Sequence, residues 1–379
     1  MKVYLDNAAT TPMAPQVIER MTEVMKENFG NPSSIHSFGR NAKAVIEIAR
    51  REVAKLINAE PKEIIFTSGG TEADNMAITS AVKDLGVTRV ISSKIEHHAV
   101  GHTIDCLDEE VTVEWVKLSD KGAVDLADLE RLLSSNEKTL VSLMHANNEI
   151  GTLLDIKKVS EICKKHGAYF HSDTVQTMGH YKIDVKDIGA DYITCAAHKF
   201  HGPKGVGFLY VNKNIAVSPI IQGGAQERGL RGGTENLIGI AGLAEALKLA
   251  NEDIQGHIDH VQGLKSYMMD ELKNRISDVE FHGETDPDKS LYTVLNVCFP
   301  DFENKSMLLF LLDIDGVACS GGSACTSGSN TGSHVLRGIN ADTNRPNARF
   351  SFSRFTTKEE VDYALSIIEK VVVKAAVKS

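Results

Sequence analysis

The feature that most constrains the fold is a regular alternation of short β-branched runs with helical periods between about residue 63 and residue 211. The runs lie at 64–67, 89–92, 111–116, 139–144, 168–172, 192–196 and 206–211. Helix-like stretches such as 71–84 and 156–166 separate the first six runs, and a turn at 202–205 precedes the last. The alternation predicts βα units in a mostly parallel, doubly wound α/β sheet, where ligands bind outside the carboxyl ends of the strands.

The remainder of the chain predicts a second, smaller unit. Two long apolar-periodic helices are followed by candidate strands and a final helix, an order typical of an α+β domain. These elements lie at 235–249, 254–276, 291–299, 349–353 and after 357. We therefore expect a large domain of residues 14–252 and a small domain of residues 1–13 and 253–379, since the first dozen residues are too few to fold alone.

Composition narrows the class of protein. Of the 379 residues, 42% are hydrophobic and 24% are charged, which excludes disordered and fibrous chains. The formal net charge of −10 argues against nucleic acid as a direct partner, and no window approaches the roughly 20 apolar residues of a membrane span. Six cysteines without C-x-x-C spacing, in a chain without a signal peptide, predict a reduced, cytoplasmic protein in which any special cysteine is a reactive thiol.

The segment 68–75 runs from a strand end into a helix and contains two consecutive glycines. Glycines let the backbone approach a ligand closely, and the free N–H groups at a helix N-terminus suit a phosphate. The spacing matches neither a dinucleotide-binding fingerprint nor a Walker loop. A phosphate site and an ordinary capped helix start both remain open from this segment alone.

Two charged residues follow later strands. Asp173 stands at the carboxyl end of an apolar strand, with Gln176 close behind, and a buried aspartate needs a partner such as a pyridinium nitrogen or a helix to cap. Lys199 follows the next strand, between His198 and the turn at 202–205. A lysine in that place is either a desolvated amine able to form a Schiff base or a solvated surface charge.

Small residues dominate the segment 319–333, which predicts a mobile, exposed loop at about 319–334 that carries Cys325. Structural cysteines are normally buried, so reactivity explains Cys325 better, while the role of Cys319 stays open. The six-residue spacing between these two cysteines makes a zinc site unfavourable, and we predict no resident metal. Three further cysteines are expected to be small buried hydrophobes, namely Cys106, Cys163 and Cys298.

Taken together, these motifs resemble the cysteine desulfurases that depend on pyridoxal 5'-phosphate (PLP), the NifS/IscS group of the class V aminotransferase-like enzymes. The resemblance runs from Tyr4 to Ser351 and implies fold type I, with a large domain built on a seven-stranded sheet. The long serine- and glycine-rich cysteine loop is similar to that of the NifS/IscS branch. The motifs that carry it are 4–12, 29–34, 67–75, 96–97, 144–151, 173, 176, 198–199, 228–234, 323–327 and 349–351.

The resemblance implies roles for five residues around the cofactor ring. Lys199 would be the Schiff-base lysine, and Asp173 would bind the pyridine nitrogen. Gln176 would bond the ring hydroxyl, and His97 would stack on the ring and act as a catalytic proton carrier. Asn148 would hold the polar groups beside the ring and contribute to substrate binding.

Five further residues are assigned by the same resemblance. Gly70, Thr71 and His198 would bind the phosphate, and Thr234 would reach it from the other subunit of a homodimer. Arg349 would bind the substrate carboxylate, which suits its planar bidentate guanidinium.

The activity implied is removal of sulfur from L-cysteine, giving L-alanine and a persulfide on Cys325 that passes to an acceptor protein. An iron–sulfur scaffold is one such acceptor, and nitrogenase assembly and tRNA thiolation start from the same persulfide. Two alternatives remain open: a class V aminotransferase or selenocysteine lyase, and a non-catalytic sulfur-trafficking scaffold. Cys325 is also the residue that would bind an iron–sulfur cluster transiently, and no direct contact with nucleic acid or membrane is expected.

One position departs from the pattern of the family. Ala196 stands where relatives have a phosphate-binding serine, two residues before the His198-Lys199 pair. The lost hydroxyl contact would cost about 1 kcal/mol, so we expect weaker cofactor retention rather than lost activity.

Overall fold

The computed structural model describes the backbone of residues 1–322 and 332–376, so Cys325 lies outside the described residues. The strands are β1 (Val3–Tyr4), β2 (Ile64–Thr67), β3 (Arg89–Ser92), β4 (Thr112–Trp115), β5 (Thr139–Ser142), β6 (Tyr169–Asp173), β7 (Tyr192–Ala196), β8 (Gly207–Val211), β9 (Glu280–His282), β10 (Val294–Cys298), β11 (Val317–Ala318) and β12 (Asn347–Ser351). The helices are α1 (Pro15–Glu27), α2 (Ser37–Leu56), α3 (Gly70–Leu85), α4 (His98–Asp105), α5 (Leu126–Leu132), α6 (Ile156–Lys165), α7 (Val185–Ile188), α8 (Leu237–Glu252), α9 (Ile254–Arg275), α10 (Leu308–Ile314), α11 (His334–Gly338) and α12 (Lys358–Ala376).

The large sheet contains seven strands in the order β2-β8-β7-β6-β5-β3-β4. Strands β4, β3, β5, β6 and β7 pair in parallel, whereas β8 lies antiparallel between β2 and β7. Each predicted run coincides with a strand of this sheet to within two residues at either end. The predicted α/β class and the mostly parallel, seven-stranded sheet are therefore confirmed.

Burial explains why these runs form strands. Every residue of β2, β3, β5, β7 and β8 is buried. Strands covered by helices on both faces read as continuous apolar runs instead of alternating ones. Helix α3, which begins directly after β2, ends at Gly86, whose φ of 66° forms a left-handed cap. The result is a rigid sheet edge with helices that begin just beyond it.

A second group of strands forms two smaller sheets. Strands β12, β10 and β9 make an antiparallel sheet, and β1 pairs in parallel with β11. Val3 and Leu5 pack in a hydrophobic core with residues of α9, β10, β12 and α12. A separate and larger core extends from Ala14 to Ala250. The first residues of the chain thus pack against its last third.

One expectation about the cysteines is wrong. Cys163 and Cys298 are buried, but Cys106 caps the C-terminus of α4 and is exposed. Cys106 directly follows the last residue of this short helix, and its side chain faces solvent there. Among the helices of the described residues, none combines the length and the apolarity that a bilayer crossing requires.

Candidate active site

The carboxyl ends of neighbouring strands bring the candidate residues to one edge of the large sheet. Gly70 begins α3 just after β2, and His97 follows β3 at the start of α4. Asp173 is the last residue of β6, and Lys199 ends a short 3-10 turn directly after β7. Because these strands run in the same direction, their side chains converge.

They converge on a cavity of about 220 Å³. Nine of the residues predicted from the sequence line it, and Ala8, Ala9, Asp74, Met144, Val175 and Ala196 complete the wall. The predicted residues in the wall are Gly70, Thr71, His97, Asn148, Asp173, Gln176, His198, Lys199 and Arg349.

The amine of Lys199 is held by the start of the chain. Its Nζ donates to the carbonyl oxygens of Ala8, at 2.5 Å, and Ala9, at 2.9 Å. The Gln176 Nε2 also donates to the Ala8 oxygen, at 3.1 Å. Sequence reasoning missed these two carbonyls, although the segment 4–12 was among the motifs of the resemblance. Backbone acceptors therefore orient both side chains toward the cavity.

Asp173 is a buried carboxylate with few partners. Its Oδ1 accepts a hydrogen bond from the backbone N–H of Val175 at 2.8 Å. Burial, reinforced by the nearby Asp74, raises the pKa of Asp173 to about 7. A cationic nitrogen in the cavity would favour the ionised form and reverse this shift. Such an aspartate is suited to bind a protonated ring nitrogen.

His97 has a defined tautomer. Its Nδ1 accepts a hydrogen bond from the backbone N–H of Ala99 at 3.2 Å, so the side chain caps α4. Burial, together with the charge of Lys199, lowers the pKa of His97 to about 4. The imidazole is therefore neutral at neutral pH. With Nδ1 acting as an acceptor, its proton is on Nε2.

The N-terminus of α3 faces the cavity without a side-chain cap. A Cβ on Gly70 would approach Cγ2 of Val175 to 2.8 Å, so the backbone comes close to the cavity only because this residue is glycine. His198 lies beside it, with Nδ1 at 3.2 Å from the Thr10 hydroxyl. Burial, and then the charge of Lys199, lowers the pKa of His198 to about 4. These donors match an anion such as a phosphate.

Arg349 is buried and lines the same cavity. Its Nη1 donates to the backbone oxygen of Asn148 at 2.9 Å, and its Nη2 donates to Asp6 Oδ1 at 2.8 Å. The Nε has no hydrogen-bond partner among the described residues. The guanidinium therefore retains N–H donors for a carboxylate ligand. The contact between Asp6 and Arg349 was not predicted, because the sequence of the segment 4–12 does not show which residues it contacts.

Two candidates are not in this cavity. Thr234 is exposed and lines a separate cavity of about 200 Å³, with residues such as Ser68 and Arg231. Cys325 lies outside the described residues. The other cysteine of its segment, Cys319, is partly buried, and burial raises its pKa to about 12. Cys319 is therefore a thiol rather than a thiolate at neutral pH.

Two buried acids near the site were also missed. Asp74 lines the cavity, and Glu96 precedes His97 with its carboxylate bonded to Ser93 Oγ and the Met144 N–H. Burial raises the pKa of each to about 8. Asp74 follows the buried apolar Ala73 in α3.

Comparison with known proteins agrees with this geometry. The chain belongs to the aminotransferase class-V family, whose model matches residues 3–364. It is similar to the cysteine desulfurase IscS of Dictyoglomus turgidum, with 44% identity over 98% of this chain and 95% of the relative. It is also similar to the solved structure of a NifS-like protein, with a TM-score of 0.91, 36% identity, and coverage of 99% of this chain and 100% of that one. A further similar structure is SspA in complex with cysteine, with a TM-score of 0.78, 32% identity, and coverage of 94% and 100%.

These comparisons confirm the resemblance and the predicted fold type I. Enzymes of the family depend on PLP. The residues of the cavity fit that group in three respects: an uncapped helix N-terminus with a glycine for the phosphate, a buried carboxylate for the ring nitrogen, and a lysine amine for the aldehyde. The donor set is therefore compatible with the cofactor of the family.

Proposed function

We propose that this chain is a PLP-dependent cysteine desulfurase, which converts L-cysteine to L-alanine and leaves the sulfur as a persulfide on Cys325. The observation that carries the proposal is the single cavity that collects Lys199, Asp173, His97 and Arg349. In this reaction the C–S bond of the substrate breaks and an S–S bond forms on Cys325. The substrate carbon gains a proton, so atoms and electrons balance without an added oxidant or reductant.

We assign the cofactor contacts as follows. Lys199 would attach through Nζ to the cofactor aldehyde, and Asp173 would pair with the ring nitrogen. Gln176 would bond the ring hydroxyl, and Asn148 the polar groups at its side. When bound, PLP supplies an electron sink that stabilises negative charge at the substrate α-carbon.

The phosphate would be held where α3 begins. Gly70 and Thr71 supply N–H groups of the first turn, and Thr71 and His198 both line the cavity. Ala196 also lines the cavity but offers no hydroxyl. The weaker cofactor retention expected from this alanine stays a prediction.

The chain's own residues then handle the protons. Lys199 lies between two carbonyl oxygens and can take a proton from the substrate α-carbon when its amine is free. Neutral His97 holds a proton on Nε2 and can donate it or accept one after donation. Arg349 would fix the substrate carboxylate with the N–H groups that Asn148 and Asp6 leave available.

Cys325 is the proposed nucleophile. The described residues that flank its segment are attached near the cavity: Ser320 Oγ donates to Asp6, and Ser333 Oγ donates to buried Glu149. These attachments support a short path between Cys325 and the substrate. We propose that the persulfide passes to a sulfur-acceptor protein such as an iron–sulfur scaffold. No direct contact with nucleic acid or membrane is required for that transfer.

We also propose a homodimer in which Thr234 reaches the phosphate of the partner subunit. Two observations support it. Thr234 lies away from the cavity of its own chain, and large apolar side chains are exposed around α1 and α2. Phe29 is 75% exposed and Ile35 is 92% exposed, which is unusual unless another surface covers them.

Two further proposals concern organisation and location. The separate hydrophobic cores support a large domain of residues 14–252 and a small domain of residues 1–13 and 253–379.

The five cysteines of the described residues are free, and persulfide chemistry needs reduced thiols. We therefore propose a cytoplasmic location.

The test is to incubate the purified holoenzyme with L-cysteine and to measure L-alanine and protein-bound persulfide. We expect both products from the natural chain and neither from Cys325→Ala, whose visible cofactor absorption should persist. Cys106→Ser is the matched control, because it removes an exposed thiol elsewhere and should leave both products unchanged.

Four results would contradict the proposal. Persulfide formation by Cys325→Ala without an added thiol would exclude Cys325 as the nucleophile. Amino transfer from L-cysteine to a keto acid, without alanine release, would favour the aminotransferase alternative. Alanine release from selenocysteine but not from cysteine would favour the lyase, and a colourless protein that cannot take up PLP would favour a non-catalytic scaffold.

A further inference from the structure

Asp74 is a second carboxyl group in the cavity that already contains Asp173. It stands in the second turn of α3, and its side chain is 1% exposed. It lines the same cavity as Lys199 and His97. The proposed function gives it no role, although burying a carboxylate is costly unless it is paired or neutralised.

The groups around Asp74 include no cationic side chain that pairs with it among the described residues. One titratable neighbour is His171, whose Nε2 lies 3.4 Å from Asp74 Oδ1. That same nitrogen is 3.1 Å from the Thr194 hydroxyl, and His171 Nδ1 is 2.8 Å from the Ser142 hydroxyl. Asp74 Oδ1 accepts no hydrogen bond within the described part of the chain. A carboxylate oxygen without a donor is better accommodated as part of a protonated carboxyl group.

The state of His171 makes it an acceptor for such a proton. The ring is fully buried in β6, and burial lowers the pKa of His171 to about 4. A neutral imidazole has one N–H and one acceptor nitrogen. If Nδ1 donates to the Ser142 hydroxyl, Nε2 is left to accept from Asp74. In this arrangement the Oδ1 of Asp74 and both ring nitrogens of His171 have a hydrogen-bond partner.

The neighbouring charges also favour a protonated Asp74. Asp173 lies on β6, two residues beyond His171, and it raises the energy of any second anion in the cavity. Glu96, on the segment between β3 and α4, is a further buried acid that interacts with both aspartates. Lys199 acts electrostatically on Asp173. Two carboxyl groups that are both buried and interact electrostatically do not both ionise readily, so one of the two aspartates keeps its proton.

The two aspartates are not equivalent. Asp173 accepts a hydrogen bond from the Val175 N–H, which favours its ionised form. Asp74 has the Thr194 hydroxyl as a donor, but its Oδ1 lies beside a ring nitrogen that can accept a proton, and Lys199 lowers the pKa of Asp173 without a corresponding effect on Asp74. We propose that Asp74 carries a proton at neutral pH, donates a hydrogen bond to Nε2 of His171, and so leaves Asp173 as the ionised aspartate that would pair with the cofactor ring nitrogen. This inference rests on the proposed function, since Asp173 has that task only where PLP binds.

Asp74 is thus a positioning residue that acts through Asp173. A single negative charge gives the ring nitrogen one strong partner. A second negative charge in the cavity would raise the pKa values of the cofactor and of Lys199, so that both would stay protonated to higher pH. The arrangement therefore sets the pH at which the visible absorption of the bound cofactor changes.

The experiment uses the holoenzyme and two isosteric variants, Asp74→Asn and Asp173→Asn. Infrared difference spectra in H2O and D2O detect the carbonyl stretch of a protonated carboxyl group, and visible spectra follow the cofactor across pH. We expect the natural protein to show a D2O-sensitive carboxyl band that Asp74→Asn removes and Asp173→Asn retains. We expect Asp173→Asn to move the visible pH midpoint by about one unit or more, and Asp74→Asn to leave it in place.

Glu96→Gln is the control for the infrared assignment, because Glu96 is another buried acid in the same region. A carboxyl band that Glu96→Gln does not remove and that survives in Asp74→Asn, or the absence of any such band from the natural protein, would overturn the inference. A visible midpoint that Asp74→Asn moves as far as Asp173→Asn does would also overturn it. Failure of the natural protein to bind PLP would instead refute the proposed function, and the infrared bands would still report on Asp74.

Discussion

Asp6 and Arg349 form an ion pair over 2.8 Å, and the same carboxylate oxygen accepts a hydrogen bond from Ser320 Oγ at 2.8 Å. The backbones of Ser320 and Arg349 are themselves paired. One carboxylate therefore joins the proposed substrate-binding guanidinium to the residues that lead into the segment of Cys325. The pair also compensates the charge of an arginine that is 1% exposed.

Asp6→Asn should destabilise the protein, because it leaves the buried Arg349 guanidinium without its charged partner. We expect the free energy of unfolding to fall by about 3 kcal/mol, as for other buried pairs that lose one member. Denaturant unfolding measures it. Asp301→Asn is the control, since Asp301 pairs with Lys305 at the surface and should cost less than about 1 kcal/mol. Equal losses in the two variants would show that Asp6 contributes no more than a surface charge.

Gly70→Ala should weaken cofactor binding. The new Cβ would approach Val175 Cγ2 to 2.8 Å, and the first turn of α3 or Val175 must shift into the cavity wall. We expect the dissociation constant for PLP to rise by about tenfold, equivalent to about 1.4 kcal/mol. Equilibrium titration of the cofactor-free protein, followed by visible absorption, measures it.

Gly101→Ala is the matched control for this variant. Gly101 lies within α4, and a Cβ there would meet no atom within 4 Å. Alanine should be tolerated at that site or should slightly stabilise the helix. Unchanged PLP affinity in Gly70→Ala would mean that the phosphate does not lie at the start of α3.

His97 caps α4 and is the proposed proton carrier, and two different substitutions can separate these roles. His97→Ala removes the cap of α4 and should lower the free energy of unfolding by about 1 kcal/mol, whereas His97→Asn keeps a capping oxygen. Both should slow alanine formation by about a hundredfold or more, because neither supplies an imidazole. Steady-state kinetics and denaturant unfolding of the two variants test this. Full activity in His97→Asn would assign the histidine to capping alone.

The pH dependence of the natural enzyme follows from the same residue. Burial lowers the pKa of His97 from 6.5 to about 4, so the ring stays neutral as pH falls through 6.5. We therefore expect that His97 contributes no inflection near pH 6.5 to the pH profile of kcat/KM. The profiles of the natural enzyme and of His97→Asn should have the same shape in that region. An inflection there that this variant abolishes would show that His97 titrates at its ordinary value.

The sequence predicted the sheet well because its strands are buried on both faces and therefore read as uninterrupted apolar runs. It did not predict that β8 inserts antiparallel between β2 and β7, or that Val3 pairs with Val317. Those pairings depend on contacts between distant parts of the chain, for which local patterns carry no signal.

The candidate site likewise contains residues that the sequence could predict and residues that it could not. Lys199 and Asp173 were predictable because they directly follow strand ends, where parallel strands deliver ligand-binding residues. The carbonyls of Ala8 and Ala9 were not, since a backbone oxygen has no signature in the sequence. Asp74 was not, because an aspartate in a helix is usually solvated. Only its tertiary position places it in the cavity wall.

Lys265 is a buried lysine that the proposed mechanism does not use. It lies on α9, is 1% exposed, and donates from Nζ to Ser290 Oγ at 2.6 Å and to the Leu291 oxygen at 2.9 Å. No carboxylate pairs with it among the described residues. Burial lowers the pKa of Lys265 from 10.5 to about 7. The folded protein therefore releases this proton at lower pH than the unfolded chain does.

This shift predicts how stability responds to pH. Between about 7 and 10.5 the unfolded chain binds the Lys265 proton and the folded protein does not, so stability rises with pH in that window. The free energy of unfolding of the natural protein should gain up to about 1.4 kcal/mol per pH unit relative to Lys265→Met. Groups common to both proteins cancel in this difference, which denaturant unfolding at several pH values provides. Lys43→Met, on an exposed position of α2, should show no such slope. Parallel stability curves for the natural protein and Lys265→Met would mean that the folded protein keeps Lys265 charged throughout this range.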